Sequence, residues 1–368
     1  SLSASICSLP GLCSYPLQHR LLATTAVCSS RKARVAVLAW LLQSVASATA
    51  FLSIAARHPA VRPGHVARQF ARTSSFKMSA PEAPKEKPCL PETYKVPAVW
   101  TFNEQGGNFG AMNRPTAGAR FEEELRKGDH PYQLYSLGTP NGQKVTILLE
   151  ELYDLKKTEY DAWFVNIMEL KQFGSGFTEV NPNGKIPCML DHSESPPLRL
   201  FESGSILLYI AEKEGHFIPK DARGRAECMN WLMWQMGAAP FLGGGFGHFF
   251  HYAPVKIEYA IDRYSMEVKR QLDVLDKHLS DKDFVCGADF TIADMAIFPW
   301  MKAIPNFYTG PPRGDDFLQF HSYLNVKKWI ERIEARPAVQ RGMRVNAFGP
   351  TAVKERHSAA DFDATPPY

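Results

Sequence analysis

The clearest structural signal in this 368-residue chain lies in the segment Tyr132-Gln-Leu-Tyr-Ser-Leu-Gly-Thr-Pro-Asn-Gly-Gln-Lys-Val145. Its first six residues alternate as a strand does, and the next five have the composition of a turn. Apolar residues at helix spacing follow at Val145, Leu148, Leu149 and Leu152. The segment therefore predicts a strand, a turn and a helix in succession.

The residues that follow predict a small α/β domain over 131–217. Aromatic and β-branched runs separated by turns indicate three more strands, at 159–165, 186–190 and 197–201. A helix is expected at 203–213. The order is β-α-β, a connection, and then β-β-α, which suits helices packed on one sheet.

Beyond Pro219 the strand signals stop. Apolar residues recur at helix spacing over 229–236, 257–279 and 323–334, and Thr291-Ile-Ala-Asp294 has the form of a capping box. These patterns predict an all-helical domain over 218–342. An N-terminal arm is expected at 96–130 and a polar C-terminal tail at 343–368.

The charge of the chain is unevenly distributed. Residues 1–81 contain nine Lys and Arg and no acid, whereas the rest carries 33 bases against 38 acids. A mildly acidic body gives no electrostatic reason to bind nucleic acid, so no such partner is expected. The composition, 45% hydrophobic and 22% charged, excludes a fibrous or wholly disordered chain.

Residues 1–95 read as a leader that we expect to be disordered. A basic stretch at 31–34, an apolar run at 35–42 and the small residues before Phe51 are typical of a signal peptide, and the acid-free residues 52–77 of a transit peptide. Together they resemble a bipartite plastid presequence and predict a plastid protein. The alternative is a cytoplasmic protein that starts at Met78. The apolar run is shorter than the roughly 20 residues that span a bilayer, so no membrane partner is expected.

The cysteines do not form a disulfide framework. Three lie in the body, Cys188, Cys228 and Cys286, and no C-x-x-C motif occurs in the chain. Widely spaced cysteines suit a reducing compartment. We interpret Cys188, which follows Pro187 in a core strand, as a buried thiol rather than a nucleophile.

Five segments resemble the glutathione S-transferase family, and the resemblance as a whole covers roughly residues 96–365 and nothing before them. They are Tyr135–Val145, Asn181-Pro-Asn-Gly-Lys-Ile-Pro187, Phe201-Glu-Ser-Gly-Ser-Ile206, Thr291–Asp294 and Gly237-Ala-Ala-Pro-Phe-Leu-Gly-Gly-Gly-Phe-Gly-His248. The last of these, with the Thr-Pro-Asn turn, is similar to the nu-class branch of bacterial disulfide-bond oxidoreductases. The resemblance implies a thioredoxin-like N-terminal α/β domain followed by an all-α C-terminal domain.

The resemblance also implies glutathione as a cosubstrate and no metal. It assigns catalysis to Thr139 and Asn141. The residues that it places around glutathione are Asn113, Thr139, Pro140, Asn141, Gln172, Lys185, Ile186, Pro187, Glu202, Ser203 and Arg263. Asn113 would reach the ligand from the arm, and Arg263 would contribute its charge across a dimer interface.

The chemistry of these residue types agrees with a tripeptide ligand. A cis-proline at Ile186-Pro187 would free the backbone of Ile186 to pair with an extended peptide, although Pro187 could also be an ordinary strand terminator. Ser203 at a helix start could simply cap the helix, but the same N–H groups favour a γ-glutamyl carboxylate, and Glu202 can pair with its ammonium. Gln172 and Lys185 would hold the remaining polar ends, or be ordinary surface residues.

The sulfur of the ligand would lie at Thr139-Pro140-Asn141, at the amino end of the first helix. The Thr139 hydroxyl and the Asn141 amide or backbone could donate hydrogen bonds to a thiolate, which the helix dipole also favours. The alternative is a turn whose Thr and Asn only cap the helix. Common transferases place a Tyr, Ser or Cys at the strand end; here Tyr135 and Ser136 fall short of that position. With no protein thiol, both redox sulfurs must come from ligands.

Two other patterns are not interpreted as sites. His248 and His251 have the spacing of metal ligands but no third ligand nearby, so no metal is expected. The run Gly243–Gly247 lacks the strand and the Lys-Ser of a phosphate loop. We expect it to let the backbone approach the ligand, beside an apolar wall of Phe246, Phe249, Phe250 and Tyr252.

These observations together predict a homodimeric, glutathione-dependent reductase of small or protein disulfides. Two alternatives stay open: a transferase that conjugates glutathione to electrophiles, and a glutathione-binding scaffold without turnover.

Overall fold

The structure, a computed structural model, describes residues 95–102 and 112–364, all of which belong to one compact unit that begins at Glu86. The predicted leader lies outside the described residues except for Lys95, so the presequence and the disorder expected there stay predictions. No helix in the described ranges is both long and apolar enough to cross a bilayer.

Four strands form one mixed sheet in the order β2-β1-β3-β4. They are β1 (Tyr132–Ser136), β2 (Asp161–Phe164), β3 (Cys188–Asp191) and β4 (Leu198–Phe201). Leu134 pairs with Ala162 in the parallel β1–β2 ladder and with Met189 in the antiparallel β1–β3 ladder. All five residues of β1 are buried, as expected for a central strand. The predicted strands are confirmed, with shorter bounds.

Three helices accompany this sheet: α1 (Pro140–Lys156), α2 (Ser175–Val180) and α3 (Ser203–Glu214). The turn predicted at 138–142 is wrong in its second half, because Pro140, Asn141 and Gly142 already form the first turn of α1. Proline suits that position since its fixed φ is helical and its missing N–H would have no helical partner. The short α2 was not predicted; it lies in the expected connection.

The second half is helical, as predicted. Its helices are α4 (Ala222–Pro240), α5 (Glu258–His278), α6 (Ile292–Phe307), α7 (Gly314–Phe317), α8 (Leu324–Glu334) and α9 (Pro337–Arg344). The capping box at the start of α6 is confirmed. Between α4 and α5 the backbone continues as a π-helix over Phe241–Tyr252, which the sequence did not indicate. Helices α6 and α9 pack against α1, so the two halves share one boundary around that helix.

The C-terminal tail is an integral part of the sheet layer. Arg356 is fully buried and forms a bridge with Ala162 at the outer side of β2. Its guanidinium pairs with Glu150 of α1 at 3.2 Å and donates to the Tyr160 carbonyl at 2.8 Å. A second cation, Arg341, binds the other oxygen of Glu150 at 2.7 Å. The tail thus covers an edge that would otherwise expose unpaired backbone groups.

Candidate functional site

A cleft of about 560 Å³ lies at the amino end of α1, between the sheet and the helical half. Ten of the predicted site residues line it. They are Asn113, Thr139, Pro140, Asn141, Gln172, Lys185, Ile186, Pro187, Glu202 and Ser203. The structure therefore brings together residues from the arm, the first helix, the turn before β3 and the start of α3. Its volume is that of a site for a small molecule.

Thr139 is the N-cap of α1, as the capping alternative expects. Its hydroxyl accepts from the Gly142 N–H and donates to the Leu137 carbonyl, each at 3.5 Å. Hydrogen bonds this long are weak. A ligand sulfur at the mouth of the cleft could therefore replace the Leu137 carbonyl as the acceptor of a hydrogen bond from the Thr139 hydroxyl. Capping of α1 and ligand binding are thus compatible.

Asn141 is oriented by a residue that the sequence did not identify. The indole Nε1 of Trp300, on α6, donates to Asn141 Oδ1 at 2.9 Å. An indole N–H is only a donor, so its partner must be the amide oxygen. The two protons of the Asn141 Nδ2 remain available, and both side chains line the cleft. The helical half thereby fixes the donor end of Asn141.

A glycine in the π-helix makes room for this indole. A Cβ atom added at Gly243 would lie 2.5 Å from Cη2 of Trp300, well inside van der Waals contact. Gly243 and Gly244 line the cleft, so the approach of this backbone to a ligand stays a prediction. The indole of Trp300 makes the close approach to Gly243.

The predicted aromatic wall is largely wrong. Phe246 is fully buried and stacks on Phe250, because the π-helix turns both into the core. Phe249 stacks on Tyr264 of α5. Of the four predicted aromatic residues Tyr252 alone lines the cleft, where it is joined by His248 and Trp300.

The Ile186-Pro187 bond is cis, as predicted. Both residues line the cleft directly before β3 begins at Cys188. Cys188 itself is fully buried and its burial raises the pKa of the thiol, in agreement with a structural role. No cysteine is among the residues that line the cleft in the described part of the chain.

Glu202, not Ser203, is the N-cap of α3, and Ser203 is the first helical residue. Glu202 has a φ of 68° and makes no side-chain capping bond. Its carboxylate instead accepts from the Asn183 side chain at 3.4 Å, at the rim of the cleft. A non-glycine residue at positive φ costs free energy, and such strain is often found at functional sites. The strain at Glu202 therefore favours a functional role for its carboxylate.

Gln172 and Lys185 also line the cleft. Gln172 is 3% exposed, and its Oε1 has no hydrogen-bond partner within the described ranges. A buried acceptor of this kind calls for a donor from a ligand or from water. The Lys185 Nζ donates to Asn113 Oδ1 at 3.4 Å, so the arm does reach the site. Burial, and then the charge of Arg120, lower the pKa of Lys185.

Lys144 was not predicted as a site residue. It lies on α1, one turn beyond Asn141, lines the cleft and has no solvent exposure. Its Nζ donates to Ser203 Oγ at 3.4 Å. Burial lowers the pKa of Lys144 to about 7, while the charge of Glu202 acts in the opposite direction. The available signal was a charged residue four positions before Leu148, on the apolar face of a predicted helix.

Arg263 does not line the cleft of the single chain. It lies on α5, 44% of its side chain is exposed, and it pairs with Glu267 at 3.9 Å. Its role across a dimer interface stays a prediction. Tyr135 and Ser136 also face away from the cleft: both are buried, and the Tyr135 hydroxyl donates to the Arg126 carbonyl at 2.6 Å. Across the described residues no group of three metal-ligating side chains occurs.

Comparison with known proteins agrees with this geometry. Two domain families match the chain: the N-terminal domain of glutathione S-transferases over residues 130–212 and their C-terminal domain over 244–337. Disulfide-bond oxidoreductase YghU of Escherichia coli (strain K12) is 56% identical over 277 residues, which cover 74% of this chain and 96% of that protein. The chain belongs to the glutathione S-transferase family.

Solved structures of glutathione S-transferases have the same fold. Glutathione transferase YghU from Streptococcus pneumoniae ATCC 700669, complexed with glutathione, is 54% identical with a TM-score of 0.65; the match covers 68% of this chain and 97% of that one. A glutathione transferase from Pseudomonas putida, with one glutathione disulfide bound per subunit, is 38% identical with a TM-score of 0.54 and covers 60% and 93%. The thioredoxin-like and helical halves are therefore those of a glutathione S-transferase.

Proposed function

We propose that this glutathione S-transferase is a glutathione-dependent reductase of small or protein disulfides. The observation that carries the proposal is a cleft with two hydrogen-bond donors, Thr139 and Asn141, at the amino end of α1 and no cysteine among its described lining residues. Such a site can stabilise a thiolate but has no sulfur of its own. The oxidoreductase name of the Escherichia coli relative and the glutathione disulfide in the Pseudomonas putida structure support the same chemistry.

In this proposal glutathione occupies the cleft along its full length. Ser203 and the free N–H groups of α3 face the γ-glutamyl carboxylate, and Glu202 its ammonium. The backbone of Ile186, beside the cis-proline, pairs with the cysteinyl residue in the manner of an added strand. Lys185 binds the glycyl carboxylate, and the unsatisfied Oε1 of Gln172 accepts a ligand N–H.

Thiol–disulfide exchange then needs two glutathiones. The thiolate of the first, held at Thr139 and Asn141, attacks one sulfur of the substrate disulfide; the S–S bond breaks, a mixed disulfide forms, and the second substrate sulfur leaves as a thiolate and takes up a proton. A second glutathione thiolate attacks the glutathione sulfur of the mixed disulfide. The products are glutathione disulfide and two substrate thiols, so two electrons pass from two glutathiones to the substrate.

The two variants Thr139→Ala and Thr139→Ser test the assignment. We expect Thr139→Ala to lower the kcat for a small disulfide about 10- to 100-fold while glutathione still binds, because a donor to the thiolate is lost, and Thr139→Ser to retain most of the rate. A Thr139→Ala enzyme with full reductase activity would refute the site. Capping contributes about 1 kcal/mol, so thermal unfolding must show that both variants are folded at the assay temperature.

Conjugation is the alternative activity of the same cleft. A thiolate stabilised by Thr139 could attack an electrophile, but Tyr135 at the end of β1 does not line the cleft and donates its hydroxyl to the Arg126 carbonyl instead. Parallel assays with a small disulfide and a chlorinated aromatic separate the two. Turnover of the aromatic without turnover of the disulfide would make this chain a conjugating transferase, and binding without either would make it a scaffold.

We further propose that the protein is a homodimer in which Arg263 of one subunit adds its charge to the neighbouring site. The exposed position of Arg263 on α5, away from the cleft of its own chain, is compatible with such a contact. Sedimentation measures the oligomeric state, and an Arg263→Gln variant that keeps full affinity for glutathione disulfide would exclude the contribution.

The location of the protein is proposed from its sequence alone. The acid-free, two-part leader over 1–77 suggests a plastid, and a start at Met78 a cytoplasmic protein. Fluorescent fusions with and without residues 1–77 distinguish the two: only the longer fusion reaches plastids if the leader is a targeting signal.

A further inference from the structure

A buried ammonium lies beneath the start of α3 and has no role in the site as described so far. The Lys144 side chain is fully buried, and a 3.4 Å hydrogen bond to Ser203 Oγ is its single hydrogen bond within the described residues. An ammonium carries three donors, and burying it with one weak acceptor is costly. Lys144 also lines the cleft, so two of its protons can reach a ligand.

The hydroxyl of Ser203 is poorly satisfied in the same region. It accepts from Lys144, and its own proton points to the Met236 sulfur at 4.0 Å, a weak acceptor. A carboxylate at the amino end of α3 would replace this sulfur as the acceptor. It would also lie within reach of Lys144, which approaches Ser203 from the α1 side.

We propose that Lys144 is the charge partner of the γ-glutamyl α-carboxylate, acting directly and through Ser203, so that this subsite selects ligands that carry that carboxylate. The inference rests on glutathione being the ligand of the cleft. It adds a full positive charge to a subsite in which the α3 N–H groups supply only partial charges. It also gives a role to a lysine that is fully buried in α1.

Charge coupling gives the proposal a distinctive signature. The titratable groups that line the cleft with Lys144 are Lys185, Glu202, His248 and Tyr252. Of these, Glu202 acts on Lys144 through its charge and holds the ammonium form, whereas burial opposes that form and lowers the pKa of Lys144 to about 7. A ligand carboxylate placed beside Nζ adds a second negative charge and raises this pKa. Near neutral pH, ligand binding is therefore accompanied by proton uptake.

The experiment measures binding and proton uptake by calorimetry between pH 6.5 and 8, in buffers of different ionisation enthalpy, with full-length protein. The probe is S-methylglutathione, whose blocked thiol cannot release a proton. A second probe is its 4-aminobutyryl analogue, which lacks only the γ-glutamyl α-carboxylate. Wild type is expected to take up protons with the first probe and none with the second.

Lys144→Met is expected to bind S-methylglutathione at least tenfold more weakly, without proton uptake, and to bind the decarboxylated probe as wild type does. Lys144→Gln is the second variant, should the apolar one not fold. The matched control is Lys156→Met on the same helix, whose exposed lysine pairs with Glu214 far from Ser203; it is expected to bind both probes as wild type does.

The outcomes separate the two proposals. If wild type binds S-methylglutathione but the Lys144 variants bind it equally well, or lose both probes equally, the role of Lys144 is refuted while glutathione binding stands. Loss confined to ligands with a free thiol would assign Lys144 to the sulfur instead, and would also refute the proposal. Failure of wild type to bind S-methylglutathione and glutathione would overturn the proposed function itself.

Discussion

The indole N–H of Trp300 and the side-chain oxygen of Asn141 are joined by a 2.9 Å hydrogen bond that links the helical half to the first turn of α1. The bond settles which end of the Asn141 amide is free, because the indole can only donate. The donor that we propose for the ligand sulfur thus depends on a residue 159 positions away in the chain.

Replacing Trp300 with Phe should lower the kcat for disulfide reduction about tenfold, because the Asn141 amide loses the partner that orients it. The thermal midpoint should change by only a few degrees, since most of the ring is kept. Trp163→Phe is the matched control: its indole donates to Gln133 at 2.9 Å outside the cleft, so its loss should leave kcat unchanged. Equal losses of activity in both variants would show that Trp300 has no specific role.

The stability of the ligand-free protein should depend on pH through Lys144. The unfolded chain holds this proton up to about its usual pKa of 10.5, whereas the folded protein releases it near 7, so rising pH favours the folded form between these values. The free energy of unfolding of wild type, minus that of Lys144→Met, should rise by about 1 kcal/mol per pH unit between pH 7.5 and 9. Urea unfolding at several pH values measures it, and a constant difference would contradict the prediction.

Glu202 should show a conflict between stability and binding. Glu202→Gly relieves the strain of a positive φ, whereas Glu202→Ala keeps the strain and also removes the carboxylate. We expect the glycine variant to be more stable than the alanine variant by about 1 kcal/mol, and both to bind glutathione more weakly than wild type. Chemical unfolding with parallel binding assays tests both parts; an alanine variant at least as stable as the glycine variant would show that no strain is stored there.

The buried pair of Arg356 and Glu150 should be strongly coupled. Arg356→Met leaves the fully buried Glu150 with fewer partners and should cost about 3 kcal/mol of unfolding free energy. In the double variant with Glu150→Gln the loss should be smaller than the sum of the two single losses by more than about 1 kcal/mol. Additive losses, measured by urea unfolding, would mean that the two residues act independently.

The parts of the fold set by local sequence were predictable. Alternation identified β1, helix spacing identified α1 and α5, and the Thr-x-x-Asp pattern identified the start of α6, because each depends on neighbours within a few residues. The ends were less accurate. The turn expected up to Gly142 ends at Thr139, and Glu202 rather than Ser203 proved to be the N-cap of α3, since capping depends on backbone angles that several residue types can adopt.

Site residues at the ends of helices and strands could be predicted from local motifs. Contacts between residues far apart in the sequence could not. Motifs located Thr139, Pro187 and Ser203, but nothing near Trp300 in the sequence indicates its partner. Lys144 had a signal, a charge on an apolar helix face, although that pattern alone does not name a ligand. The π-helix could not be foreseen either, because glycine-rich runs fit many backbone conformations.

The bridge between Arg356 and Ala162 has a consequence for protein synthesis. The outer strand of the sheet is completed by a segment that is translated some 196 residues after Tyr160, whose carbonyl the same arginine binds. While the ribosome is still making the helical half, the outer edge of the nascent sheet is uncovered. Glu150 then lacks both of its cationic partners, Arg341 and Arg356. We therefore expect the sheet to complete its packing only after residue 356 has left the ribosome, once the helical half has been synthesised.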